Sequence, residues 1–493
     1  MAFMSLRVLL ASILVGAPCW AAAQSPPSFP GAQGFGAVAS GGRGGRVIYV
    51  TNLNPGGPGS FQDAVSQTGP RYILFKVSGL IDADVQLVTD DVTIAGQTSP
   101  GGIVVRGFHT TEEPYCDGDP ICILTAQTAD NWILRHLRTR PGIGGFDDGL
   151  RLLHTRRAIV DHLSVANATD EAVQLSFSND ITIQNSIIAE TLGDHAGLGG
   201  MLINYSDPTV NYETTRLSIL HNVWNRILGR MPEISRESAA AANTVMDLEL
   251  SQNLLWDPGY FIDVTRETFP YGPGASNSVY YRMNWVGNYA YARPGFPFGM
   301  IWFPDPLPPN QTSTYWSDNR LNLYPERTDF QLNYCCNDYP SQPSPPSTPP
   351  FYARGTRHDF PPVNYLPSLV LREYALRNAG AWPRDPMDRR LMEPVRTGSF
   401  DPAPRDTNPY GDAYLFDFPP GSPPPAPTDS DNDGMPDAWE LAHGLNPSVP
   451  DHNGTELSIP LTGVPGYTNL ECYLNQLADK LVDLIFRDGF ESA

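Results

Sequence analysis

Five short segments in the middle of the chain share one pattern, apolar residues at alternate positions closed by a His, Asn or Gln. They end at His136, His162, Asn185, His221 and Gln252, as in Asn131-Trp132-Ile133-Leu134-Arg135-His136 and Arg157-Ala158-Ile159-Val160-Asp161-His162. Period-two alternation over so few residues describes half-buried strands. The copies recur at intervals of roughly 23 to 36 residues, the range in which each unit packs only on its neighbours. That combination predicts an all-β chain folded as a right-handed parallel β-helix, a solenoid. Sandwich and propeller architectures fit worse, because the spacing is irregular and long loops at 142–149 and 206–215 interrupt it. Stacking puts the five closing residues in one column, where their polar groups are expected to form a structural ladder.

The termini and charge narrow the setting. Residues 1–23 carry an Arg7 n-region, an apolar run from Val8 to Val15 and a small-residue exit at Ala21-Ala22-Ala23, the signature of a secretory signal peptide. No later stretch is long and apolar enough to span a bilayer, so an exported, extracellular monomer is expected. A net charge of -21 argues against nucleic acid as a partner. Arg135, Arg138, Arg140, Arg151, Arg156 and Arg157 crowd one segment, and Arg226, Arg230 and Arg236 another. On an acidic chain these read as a local basic patch for an anionic ligand. Cys116 and Cys122 flank a short polar loop and are expected to pair, leaving one thiol over among Cys335, Cys336 and Cys472.

Asp161-His162-Leu163-Ser164, Asp170-Glu171-Ala172-Val173, His221-Asn222-Val223-Trp224 and Arg230-Met231-Pro232 follow one another along the repeat. Together they resemble the calcium-and-arginine site of secreted pectate lyases, and the glycine-rich 29–47 resembles that family's opening. The resemblance runs from about Phe29 to Asp263. It implies calcium bridging enzyme carboxylates to a galacturonate carboxylate, with an arginine removing the C5 proton while the C4 oxygen leaves. Carboxylates hold a hard cation, and a guanidinium fork matches a sugar carboxylate. By position, the resemblance assigns Asp148, Asp170 and Glu171 to the metal and Arg230 to proton abstraction. It assigns Arg236, His195 and Arg226 to the substrate, polygalacturonate. Gln174, His195 and Ser235 depart from the family pattern at a calcium aspartate, a substrate lysine and a second arginine. A β-helix glycoside hydrolase would instead pair Asp147 or Asp148 with Asp161, and a polysaccharide-binding protein would need no base.

The β-helix domain is expected over 27–402, with aromatics such as Trp302, Trp316 and Tyr324 available to shape a sugar-binding rim. A proline-rich linker at 403–427 precedes a calcium-loop and helical appendage at 428–478, and a terminal tail occupies 479–493. The appendage opens with Asp429-Ser430-Asp431-Asn432-Asp433-Gly434-Met435-Pro436-Asp437-Ala438-Trp439-Glu440. Carboxylates at positions 1, 3, 5, 9 and 12 and glycine at 6 reproduce an EF-hand loop. Asp429, Asp431, Asp433, Asp437 and Glu440 are therefore expected to hold a second, structural calcium ion.

Overall fold

The computed structural model describes residues 25–110, 128–142, 147–192, 199–235, 239–260, 262–264, 279–296, 299–303, 311–335, 347–412 and 423–488. The expected signal peptide, Cys116, Cys122, Cys336, His195 and Arg236 lie outside them. All strand pairing in the solenoid is parallel, in one sheet of 11 strands and another of 16. Strand Ile103–His109 pairs with both Arg138–Thr139 and Leu150–Leu153, which divides the larger sheet into two arms. Each coil thus visits three faces in turn, as in Thr155–Asp161, Ser164–Val165 and Val173–Ser176. This is a parallel β-helix.

The coil turns where the sequence placed its closing residues. His136, His162, Asn185, His221 and Gln252 all have positive φ, between 52° and 63°, and each follows the last residue of a first-face strand. That conformation costs a side chain little when it is Asn and more when it is bulky. Histidine carries part of the column through ring stacking, His136 on His162 at 4.6 Å. The amide ladder itself stands one residue further on. Asn222, Asn253, Asn288 and Asn319 are fully buried. Each Nδ2 donates to a carbonyl of the preceding rung, Asn253 to Ile219 at 2.9 Å and Asn288 to Leu250 at 2.9 Å. The Oδ1 atoms of Asn253, Asn288 and Asn319 accept the backbone amide of the preceding ladder member, as Asn288 does from Asn253 at 3.0 Å, and Asn222 accepts from the Ser186 amide at 2.9 Å. The turn needs a left-handed residue first and a bonding amide second, so the column and the ladder are neighbours rather than one row.

Outward sides of two faces are covered. Helices Leu371–Asn378 and Pro386–Thr397 lay Ala375, Leu376, Met387, Leu391 and Val395 against Ile187, Val223 and Leu254. Covering both sides explains why second-face strands read Ile187-Ile188 and Leu254-Leu255 without alternation. The glycine-rich opening lies across the first face, with Phe35 N donating to Ser218 Oγ at 3.0 Å and Gly36 N to Thr182 Oγ1 at 2.9 Å. Trp316 and Tyr324, both partly buried, pack on the interior cluster.

Five of the six arginines crowded in the first segment are taken up by ion pairs, while Arg157 is exposed. Arg135 meets Asp161, Arg151 meets Asp148, and Arg156 meets Asp130. Arg138 and Arg140, with no exposed side-chain surface, meet Asp385 and Asp388 and tie the second helix down. The stretch 403–412 is likewise docked: the Ala403, Pro404 and Thr407 carbonyls accept from Arg226. The carboxy-terminal unit covers the outward side of the first face at the first rungs, where Met435, Trp439, Tyr467 and Leu470 pack on Tyr72, Leu74 and Ala95. Its last helix, Asn469–Asp488, runs through what was expected to be a tail. Cys472 within it is a free, buried thiol.

Asn253→Ala would orphan the Ile219 carbonyl and the Asn222 amide inside the stack. The expected loss is on the order of 3 kcal/mol, read as a lowered thermal midpoint relative to a surface Asn→Ala control.

Candidate functional site

The third face stacks Leu150–Leu153, Val173–Ser176, Met201–Ile203 and Glu233–Ile234. Leu150, Val173 and Met201 are in register, so residues two places upstream also fall on adjacent rungs. Asp148 and Glu171 are such residues, and the Glu171 amide donates to Asp148 Oδ1 at 3.0 Å. Asp148, Asp170 and Glu171 can each bring one oxygen within 4.8 Å of the others. Asp148 and Glu171 are buried and Asp170 is half-buried.

On the next rungs the Met201 amide donates to the Arg230 carbonyl at 2.7 Å. A side chain at Gly200 would stand 2.0 Å from that carbonyl, so only glycine admits this approach. Arg230, with φ 53°, reaches Glu171 Oε1 through Nη1 and Glu233 Oε2 through Nε, the latter at 3.0 Å. Arg151 Nε holds Asp148 Oδ2 at 2.7 Å. His109 bridges Asp84 Oδ2 at 3.0 Å and the Asp148 carbonyl at 3.3 Å. Burial pushes the Asp148 carboxyl up to about 6 despite Arg151, and neighbouring Asp170 adds to the rise. Three crowded carboxylates, one of them losing solvation, form an all-oxygen donor set suited to a hard divalent cation.

Sequence position and structure part company at Arg226. Its side chain is 1% exposed and pairs with Glu190 and Asp401, so it fastens the 401–407 segment and meets no solvent that could carry substrate. Asp161 ends a first-face strand, enclosed by Arg135, His162 and Gln184, so it does not pair with Asp147 or Asp148 as the hydrolase alternative required. Gln174 lies in register with Arg151 and Leu202 on the third face, and Ser235 is buried with its amide on the Ile203 carbonyl. His109, Asp84 and Glu233 were not anticipated. Glu233 had a local signal in its three-residue spacing from Arg230; His109 and Asp84 arrive through strand pairing alone.

No family model matches the chain. It is 31% identical over 464 residues to the probable pectate lyase C of Emericella nidulans, across 91% of this chain and 92% of that protein. The chain belongs to the pectate lyase family. The probable pectate lyase C of Aspergillus flavus is also 31% identical, over 91% of this chain and 94% of its own length. Putative pectate lyase 11 of Arabidopsis thaliana is 27% identical over 41% of this chain and 50% of its own. Among solved structures, the cedar pollen allergen jun a 1 has 14% identity and a TM-score of 0.47 over 71% of this chain and 92% of its own. A Bacillus sp. N165 pectate lyase in complex with trigalacturonate has 14% identity and a TM-score of 0.42 over 71% and 99%.

This pectate lyase carries a second acidic centre in its carboxy-terminal unit. Asp429, Asp431 and Asp433 form one group of converging carboxylates; Asp433, Glu440 and Asp451 form another. Asp437 takes no part in either. It opens helix Asp437–His443 and accepts from the Ser430 amide and hydroxyl at 2.7 Å each, so the loop's ninth position stabilises its own turn. Burial and then the neighbouring acids push Asp433 up to about 6 and Glu440 up to about 7.

Raised carboxyl pKa values fix the sign of a pH effect. Without metal, Asp148, Asp433 and Glu440 are partly protonated near pH 6, and a cation must displace those protons. Calcium titrations should therefore release protons at pH 6 and almost none at pH 8, with affinity rising between the two. Calorimetry in buffers of differing ionisation enthalpy measures this.

Proposed function

We propose that the chain is a secreted, calcium-dependent lyase that cleaves polygalacturonate by β-elimination, acting as a monomer. The observation that carries this reading is the Arg230 guanidinium lodged beside the Asp148–Asp170–Glu171 carboxylates. A calcium ion held by those three residues would draw electron density from the uronate carboxylate and make the adjacent C–H more acidic. Glu171 and Glu233 orient Arg230, and its neutral guanidine form takes the C5 proton onto a nitrogen lone pair. The electron pair left behind forms the C4–C5 double bond as the C4–O bond breaks, and the departing oxygen collects a proton from solvent. His195 and Arg236 are assigned to the sugar carboxylates on sequence position alone. Among the described residues, no helix is long and apolar enough to cross a membrane.

Two observables separate this reading from the others. With polygalacturonate and calcium, a lyase raises both ultraviolet absorbance and reducing ends, a hydrolase only reducing ends, and a binding protein neither. Arg230→Lys keeps a cation but loses the planar fork, so elimination should fall by about 10²–10⁴-fold with the thermal midpoint nearly unchanged. Undiminished turnover would remove Arg230 from the reaction.

A further inference from the structure

The carboxy-terminal centre resembles an EF-hand loop by spacing, yet its geometry draws on residues beyond the loop. Glu440 has no exposed surface, and neither of its side-chain oxygens has a hydrogen-bond partner; Asp431 Oδ2 and Asp451 Oδ1 are also buried and unpartnered. Asp451 comes from 11 residues beyond Glu440 and is locked in place: its amide donates to Asp433 Oδ2 at 3.0 Å, and its carbonyl accepts from Gly454 N at 2.8 Å and Asn469 Nδ2 at 3.1 Å. Buried carboxylate oxygens without donors are costly unless a cation is shared among them.

The same residues touch the first rung. Tyr49, on strand Arg46–Val50, bonds Asp429, and Lys76 Nζ bonds Asn432 at 3.1 Å. His452 and Asn453, next to Asp451, both bond the Gly45 carbonyl, at 3.2 and 3.0 Å. Gly434, with φ 101°, makes the sharp turn that lets the loop lie against Leu74. We infer that a hard divalent cation binds Asp429, Asp431, Asp433, Glu440 and Asp451, with Asp451 in place of Asp437, and clamps the carboxy-terminal unit onto the first rung of the solenoid. Neutralising the two carboxylate groups that share Asp433 removes the repulsion that would spread the loop and the 451–453 segment apart, and both are bonded to the rung.

The test uses the full chain, stripped with chelator, carrying Asp170→Asn and Glu171→Gln so that calcium in the third-face site does not contribute. In that background, Asp451→Asn should weaken calcium binding by about tenfold or more and Asp437→Asn by less than about threefold. Hydrogen exchange should show calcium protecting amides of Arg46–Val50 and Arg71–Phe75 as well as the loop, and Asp451→Asn should lose that protection at equal calcium. A larger effect from Asp437→Asn would overturn the ligand set. Protection confined to 429–440 would overturn the clamp, and absence of calcium binding in this background would overturn both, with the third-face site untouched by either result.

Discussion

Everything in this solenoid depends on the chain turning at the same place in every coil. Backbone hydrogen bonds between parallel strands align only if consecutive rungs have matched corners. A left-handed residue after each first-face strand from Ala129–Arg135 to Ser313–Ser317 makes that corner, and in the later coils buried asparagines behind it bond the carbonyls that the turn strands. Register follows from those two devices. Once register is set, the inward rows of Ile, Leu and Trp stack, and residues just upstream of third-face strands are delivered to neighbouring rungs. The carboxylates of Asp148 and Glu171 meet for this reason, although 23 positions separate them.

The second organising feature is how an acidic protein buries its arginines. A guanidinium taken out of water needs a carboxylate and full use of its donors. Arg138, Arg140 and Arg226 each find acids on segments more than a hundred residues away, at Asp385, Asp388 and Asp401. These pairs fix the helices and the 401–412 stretch over the outer surface of the second face. Cations that look like ligand contacts in sequence thus act as fasteners, and Arg230, held by two acids on the third face, differs from them in keeping part of its side chain exposed.

The fold was legible because period-two alternation and a recurring corner are local signals repeated many times. The core of the site was legible for a similar reason: Asp170-Glu171 and Arg230-Met231-Pro232 are short, and their elements supply the alignment. His109 and Asp84 were not, since nothing near them in sequence announces that their strand will pair with Leu150–Leu153. Arg226 misled because burial cannot be read from residue type. Asp437 misled because an aspartate at the start of a helix has a local use, bonding Ser430, that competes with a metal. Asp451 was invisible for the opposite reason, lying beyond the loop that spacing rules consider.

The placement of the carboxy-terminal unit has a consequence for the order in which the molecule is completed. Tyr72, Leu74 and Ala95 are among the first strand residues to emerge during synthesis, yet the side chains that shield them, from Met435 to Leu474, emerge among the last. The solenoid can grow coil upon coil by neighbour contacts, but its opening coil waits for a partner across some 360 positions. Contacts of such separation form late and leave apolar surface bare in the interval. A nascent or truncated chain is therefore vulnerable at its beginning when what it lacks is its end.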